Sequence, residues 1–133
     1  MKKLLVLMAS CFLGVSVCLA DSHDDAVLKA QTLKKAGKYE EAAQVHPRNL
    51  CKAMYYWNAA CQAVGHRDEN NDWAINASLT DAQKSEGKRL LALASTFLAD
   101  TSQDGTVDEG CKGVNADVLA SLIDAVAKNI DLK

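Results

Sequence analysis

Oxygen-bearing side chains alternate between Asp100 and Asp108: Asp100, Ser102, Asp104, Thr106 and Asp108 stand at every second position, with Gly105 among them. A hard cation such as calcium takes about six to eight oxygen ligands, and a loop that turns sharply at a glycine supplies several from one short stretch. The place where a bidentate carboxylate would close that loop (100–111) holds Cys111, so affinity is expected to be poor. The competing reading of the same residues is an ordinary polar turn. A second metal chemistry sits at Asp21-Ser22-His23. If the chain is cut after Ala20, the new amine, two deprotonated amides and His23 give a square-planar nitrogen set suited to copper(II) or nickel(II). The competing reading is a helix-capping Ser22 followed by a solvated histidine. The two exclude each other, because wrapping a metal denies Ser22 its capping geometry. No resident cofactor is expected otherwise.

Thiols are the third chemistry. Five cysteines are present, of which Cys51, Cys61 and Cys111 lie beyond the N-terminal leader described next. Cys51 and Cys61 fall on one expected helix, about 15 Å apart along its axis, whereas a disulfide needs Cα atoms within about 7 Å. They cannot bond to each other. An intramolecular disulfide must use Cys111, and the expected pair is Cys51–Cys111, with Cys61 buried and reduced; three free thiols is the alternative. No histidine stands beside a cysteine in sequence and no C-x-x-C occurs, so a catalytic cysteine is not expected.

The compartment follows from residues 1–20. Met1-Lys2-Lys3 is a cationic head, Leu4 to Val17 is almost wholly apolar, and Cys18-Leu19-Ala20 places small residues where a signal peptidase reads. The expectation is a bacterial-type signal peptide over 1–20 and a periplasmic or secreted single domain over 21–133, a setting that permits disulfides. The apolar run is short for a membrane span of about 20 residues, and no second run follows, so no membrane association is expected after cleavage. Lipid attachment at Cys18 is disfavoured by Val17 before it. Asn76-Ala77-Ser78 matches a glycosylation triplet that matters only in a eukaryotic secretory route.

These groups must be positioned by helices. The net charge of −2 and the lack of a basic cluster argue against a nucleic-acid partner. One proline and few aromatics suit close-packed helices, and no useful alternating segment is evident. Ser22 starts a helix that Gly37 closes. Tyr39, Ala42, Ala43 and His46 share a face of a second, which Pro47 stops. Leu50, Ala53, Met54, Trp57, Ala60, Cys61 and Val64 form the stripe of a central helix capped by Gly65. A short helix is expected around Trp73–Ala77. Thr80 and Gln83 form a capping box before Gly87, Leu90, Leu91, Ala94, Phe97 and Leu98. Asn115 starts the last helix, with Leu119, Leu122, Ile123, Val126 and Ile130 inward. About six helices with short connections predict antiparallel neighbours.

Two resemblances follow. Asp100 to Asp108 resembles the first nine positions of an EF-hand loop. Lys34-Lys35-Ala36-Gly37-Lys38-Tyr39-Glu40-Glu41-Ala42-Ala43 resembles the centre of a tetratricopeptide repeat. Trp57-Asn58-Ala59-Ala60-Cys61, with Gly65 and Asp68, resembles the start of a later one. The likeness spans about residues 24–79. It departs where Pro47 shortens a helix, where Lys29 replaces an apolar residue, and where Gly37 and Gly65 lie closer than the roughly 34-residue period. The expected fold class is all-α: antiparallel helical hairpins, tetratricopeptide-like, or a small helical bundle. The resemblance implies a non-enzymatic scaffold binding a protein or peptide partner on a concave face with Lys52, Tyr55, Tyr56 and Gln62. Packing of both tyrosines on the last helices is the competing reading. The alternative function is an exported metal-binding protein using the 100–111 loop or the new N-terminus. A small hydrolase finds no motif.

Overall fold

The computed structural model describes residues 15–101 and 114–133, with side chains described from residue 24 onward. Five helices and one short hairpin follow in order: α1 Val15–Lys35, α2 Tyr39–Val45, α3 Asn49–Val64, β1 Gly65–Arg67, β2 Trp73–Ile75, α4 Asp81–Leu98 and α5 Ala116–Asp131.

Each helix end has a local cause. Gly37 takes φ +79°, a conformation that costs glycine nothing. Its N–H donates to the Lys34 carbonyl at 2.9 Å, and Lys38 N–H donates to the Leu33 carbonyl at 2.9 Å. That is the Schellman pattern, and it turns α1 into α2. α2 ends where expected. His46 is extended (φ −70°, ψ 137°), as a residue before proline prefers. The carbonyls of Ala43 and Gln44 are left over at this end, and Lys52 Nζ donates to both at 2.8 and 3.1 Å. A cation at a helix C-terminus also meets its negative pole. Thr80 and Gln83 form the reciprocal capping box of α4, and Asn115 Oδ1 accepts from Asp117 N–H and Val118 N–H to start α5.

α3 is the hub. Gln62 reaches back to the Gly37 carbonyl while Lys52 reaches Ala43 and Tyr55 faces His46, so α2 runs antiparallel to it. Val64 faces Gly87 while Tyr56 stacks on Phe97, so α4 runs antiparallel on another side. Gly87 lies so close to Val64 and Ile130 that α3, α4 and α5 converge there. Buried residues consequently occur all round α3, from Leu50 and Cys51 to Cys61 and Val64. Met54 and Trp57 of the expected stripe are only half-buried. On α5, Leu119, Ile123, Val126 and Ile130 are buried, but Leu122 is exposed.

The expected helix at Trp73–Ala77 is corrected. Trp73–Ile75 pairs antiparallel with Gly65–Arg67, Gly65 opposite Ile75 and Arg67 opposite Trp73. Gly65 is extended and begins β1, so it is not a left-handed cap of α3. Asp68 decides the matter. Its carboxylate accepts from Asn70 N–H and Asp72 N–H at 2.9 and 3.0 Å, an Asx turn that folds the strand back. Trp73 then gains partners a lone helical turn lacks. Arg67 lies 4.0 Å above its ring, Tyr39 meets it edge-on, and its Nε1 donates to Asn58 Oδ1. The ribbon sits on a fold that is otherwise all-α, a small bundle of five packed helices.

Candidate functional site

A groove of about 540 Å³ lies between α4 and α5. Leu91, Leu98 and Ile123 make its floor. Small residues make its walls: Ala92, Ser95 and Ala99 from α4, and Ala120 and Ala127 from α5. The spacing of three, four and seven keeps each set on one helical flank. Capping at Thr80 and Asn115 fixes where each helix begins, and so which flank faces the groove. Lys88 and Asp124 mark its rim. Lys88 Nζ bridges to Asp131 at 3.0 Å, and Lys128 Nζ to Asp124 at 2.9 Å. Both pairs are exposed. The small walls leave the groove open above its apolar floor.

Two smaller hollows flank it. One, of about 210 Å³, is lined by Met54, Trp57, Val114, Val118 and Leu122 among others. Trp57 Nε1 is buried there without a hydrogen-bond partner. The other, about 380 Å³, lies at the α1–α2 turn beside Glu40, Glu41, Gln62 and Glu86. Arg89 clamps it by donating to Glu40 Oε1 at 2.9 Å and to Glu86 through Nε at 2.7 Å. Those hydrogen bonds to both carboxylates raise the Arg89 pKa.

The expected partner face is not assembled as an open surface. Tyr55 and Tyr56 are 0% and 5% exposed. Tyr55 packs edge-on to His46, and Tyr56 stacks on Phe97 with ring centroids 5.5 Å apart. Burial raises both hydroxyl pKa values, with Glu40 adding to the rise at Tyr56. The physical reason is the coverage of α3 by α2, α4 and α5, which leaves it no concave face. Lys52 is half-buried; its ammonium caps α2, and burial lowers its pKa. Gln62 alone of the four is exposed, and its amide donates to the Gly37 carbonyl at 3.0 Å.

Cys51 is buried and disulfide-bonded. The described residues hold no disulfide between two of their own cysteines: Cys61 is a buried free thiol, pushed up to about 12 by burial, and is not joined to Cys51. Cys111 lies outside the described residues, and its pairing is not carried forward. Ser102, Asp104, Thr106 and Asp108 of the calcium loop also lie outside them. Of that set only Asp100 is described, and its backbone and side-chain oxygens accept from Asn49 Nδ2. The His23 side chain is likewise not described. Its backbone lies inside α1 of the uncut chain. Among the described residues, no three of His, Cys, Asp and Glu cluster to hold a metal ion, and no helix is long and apolar enough to cross a membrane.

The groove was missed in the sequence, although a signal existed. Ala92, Ser95 and Ala99, and Ala120 and Ala127, repeat at helical spacing beside the core stripes. Reading only large apolar residues passes over a row of small ones. No protein-family model, no curated protein and no solved structure matches this chain.

Proposed function

We propose that this chain is an exported, non-enzymatic interaction module that receives a protein partner in the α4/α5 groove. The observation that carries the reading is the groove itself: an apolar floor between two rows of small side chains, on the outer side of the bundle. Ridges of large side chains from a partner helix seat in such grooves at interaxial distances of about 8–10 Å. The charged rim adds orientation and not chemistry. The apolar leader supports export. The tetratricopeptide likeness supports a scaffold role through its helical hairpin at Gly37, while the contact surface moves from α3 to α4 and α5.

The test is site-specific photo-crosslinking in the producing cell. A photoreactive residue at Ala92 should give a discrete adduct. The same residue at Thr32, exposed on α1, should give none. Equal labelling at both sites, or none at Ala92, overturns the reading.

A further inference from the structure

We propose that α5 is a hinged strap: its first half, Ala116 to Ile123, swings away from α3 about a pivot at Ile130, and the swing joins the hollow beside Trp57 to the α4/α5 groove. The inference goes beyond the groove reading and does not depend on what the groove receives.

α5 is gripped at one end and undermined at the other. Towards its C-terminal end Ile130 is fully buried. Its Cδ1 and Val64 Cγ1 lie 3.0 and 2.6 Å from where a methyl on Gly87 would stand, so three helices meet there without spare room. Among the described residues, the ion pair that joins α5 to another element, Lys88–Asp131, stands in the same last turn. The first half has open space on two flanks. Val118, Leu119 and Leu122 line the hollow of about 210 Å³, with Met54 and Trp57 of α3 across it. Ala120 and Ile123 border the groove of about 540 Å³, with Leu91 and Leu98 of α4 opposite. Side chains that line a void forgo the contacts a packed neighbour gives. Val118 and Leu122 stay 56% and 39% exposed, so docking leaves part of this half's apolar surface in water.

Trp57 supplies the bias. Its Nε1 is buried and has no hydrogen-bond partner. A donor left unpaired away from water penalises the state that buries it. α5 forms the far wall of the hollow that Trp57 lines, so lifting that wall brings water to the indole and relieves the penalty. Leu119 and Ile123 are buried and keep the closed state dominant, which makes opening a local excursion from the native fold. The same two residues form the ridge between hollow and groove. Once they lift, Met54 and Trp57 from α3 and Leu91 and Leu98 from α4 floor a single apolar cleft.

The experiment is hydrogen exchange read by nuclear magnetic resonance on the full chain, without reductant so that Cys51 stays disulfide-bonded. A freed half-helix is too short to persist in water, so its amides exchange when it opens. The Leu122 and Ile123 amides and the Trp57 indole N–H should share one opening, with protection at least about tenfold below that of the Ala60 amide in α3. The Lys128 and Asn129 amides, near the pivot, should be at least about tenfold better protected than Leu122. If the Leu122 and Ile123 amides and the indole exchange only together with Ala60, in global unfolding, the strap is refuted. If all of α5 exchanges as one unit, there is no pivot and the proposal fails. An indole N–H that does not follow the Leu122 amide removes the link to Trp57 and overturns the proposal equally.

Discussion

Replacing Gly87 by alanine should destabilise the fold, against the usual rule. In an exposed helix interior, Gly→Ala stabilises by about 1 kcal/mol, because glycine has the larger backbone entropy to lose. At Gly87 the added methyl would sit 2.6 Å from Val64 Cγ1 and 3.0 Å from Ile130 Cδ1. The Ile130 methyl is the end of a flexible side chain and can yield. Val64 is stiff at χ1, fully buried, and cannot swing without displacing its neighbours. Overpacking of this kind costs about 1–3 kcal/mol, so the net effect is a loss of about 1 kcal/mol. Urea unfolding followed by circular dichroism measures it as a lower midpoint at unchanged slope. Val64→Ala opens the space the new methyl needs, so the double variant should lose at least about 1 kcal/mol less than the sum of the two single losses. A Gly87→Ala variant stabilised by about 1 kcal/mol, or strictly additive with Val64→Ala, would refute the convergence of three helices at this point.

Three further outcomes follow from the same structure. Thr80→Ala and Asn115→Ala should each lose about 1 kcal/mol in urea unfolding; no loss in either variant would mean the caps do not anchor α4 and α5. Stability should fall as pH rises through the range from 9 towards 12. Cys61 has its pKa raised from 9.0 to about 12, and Tyr55 and Tyr56 are raised too, so their contribution is whole below the unfolded values and is lost on ionisation. Lys52, lowered by burial, works in the opposite sense and offsets part of the fall. Cys61→Ala should flatten the fall, and an unchanged profile in that variant would count against a buried thiol. Lys52→Met should free the Ala43 and Gln44 carbonyls and fray the end of α2. Hydrogen exchange read at the His46 amide, which donates to Ala42, should speed up several-fold, and an unchanged rate would deny the cap.

Residues with a local mechanism were legible. Gly37, Pro47, the Thr80–Gln83 pair and Asn115 act through backbone geometry and hydrogen bonds within a few residues, so their roles can be read from neighbours alone. The stripe of α5 was legible except at Leu122, which is exposed at the hollow beside Met54 and Trp57. The Trp73 segment was not legible as a strand. Its conformation depends on Asp68 five residues earlier and on Asn58, Tyr39 and Arg67, which only the tertiary fold brings near. The α3 tyrosines failed for a similar reason. A periodic stripe tells which face of a helix is buried first, not how many neighbours it will have, and three of them cover α3.

That coverage also bears on where the proposed partner would bind. In a stacked repeat, the inner helix of each hairpin keeps one face free for ligand. Here α3 holds Tyr55, Cys51, Cys61 and Val64 essentially without exposure on its several sides. A partner could reach Tyr55 only by lifting α2, which Lys52, Gln62 and the Tyr55–His46 contact hold down. Among the described residues, the outer helices carry no such obstruction. Their groove keeps Ala92, Ala99 and Ala120 exposed, and none of its small wall residues must move to admit a ridge. Opening the core costs buried apolar area and hydrogen bonds, whereas filling the groove costs only water and side-chain order. The proposed association is therefore assigned to α4 and α5, with α3 as the support beneath them.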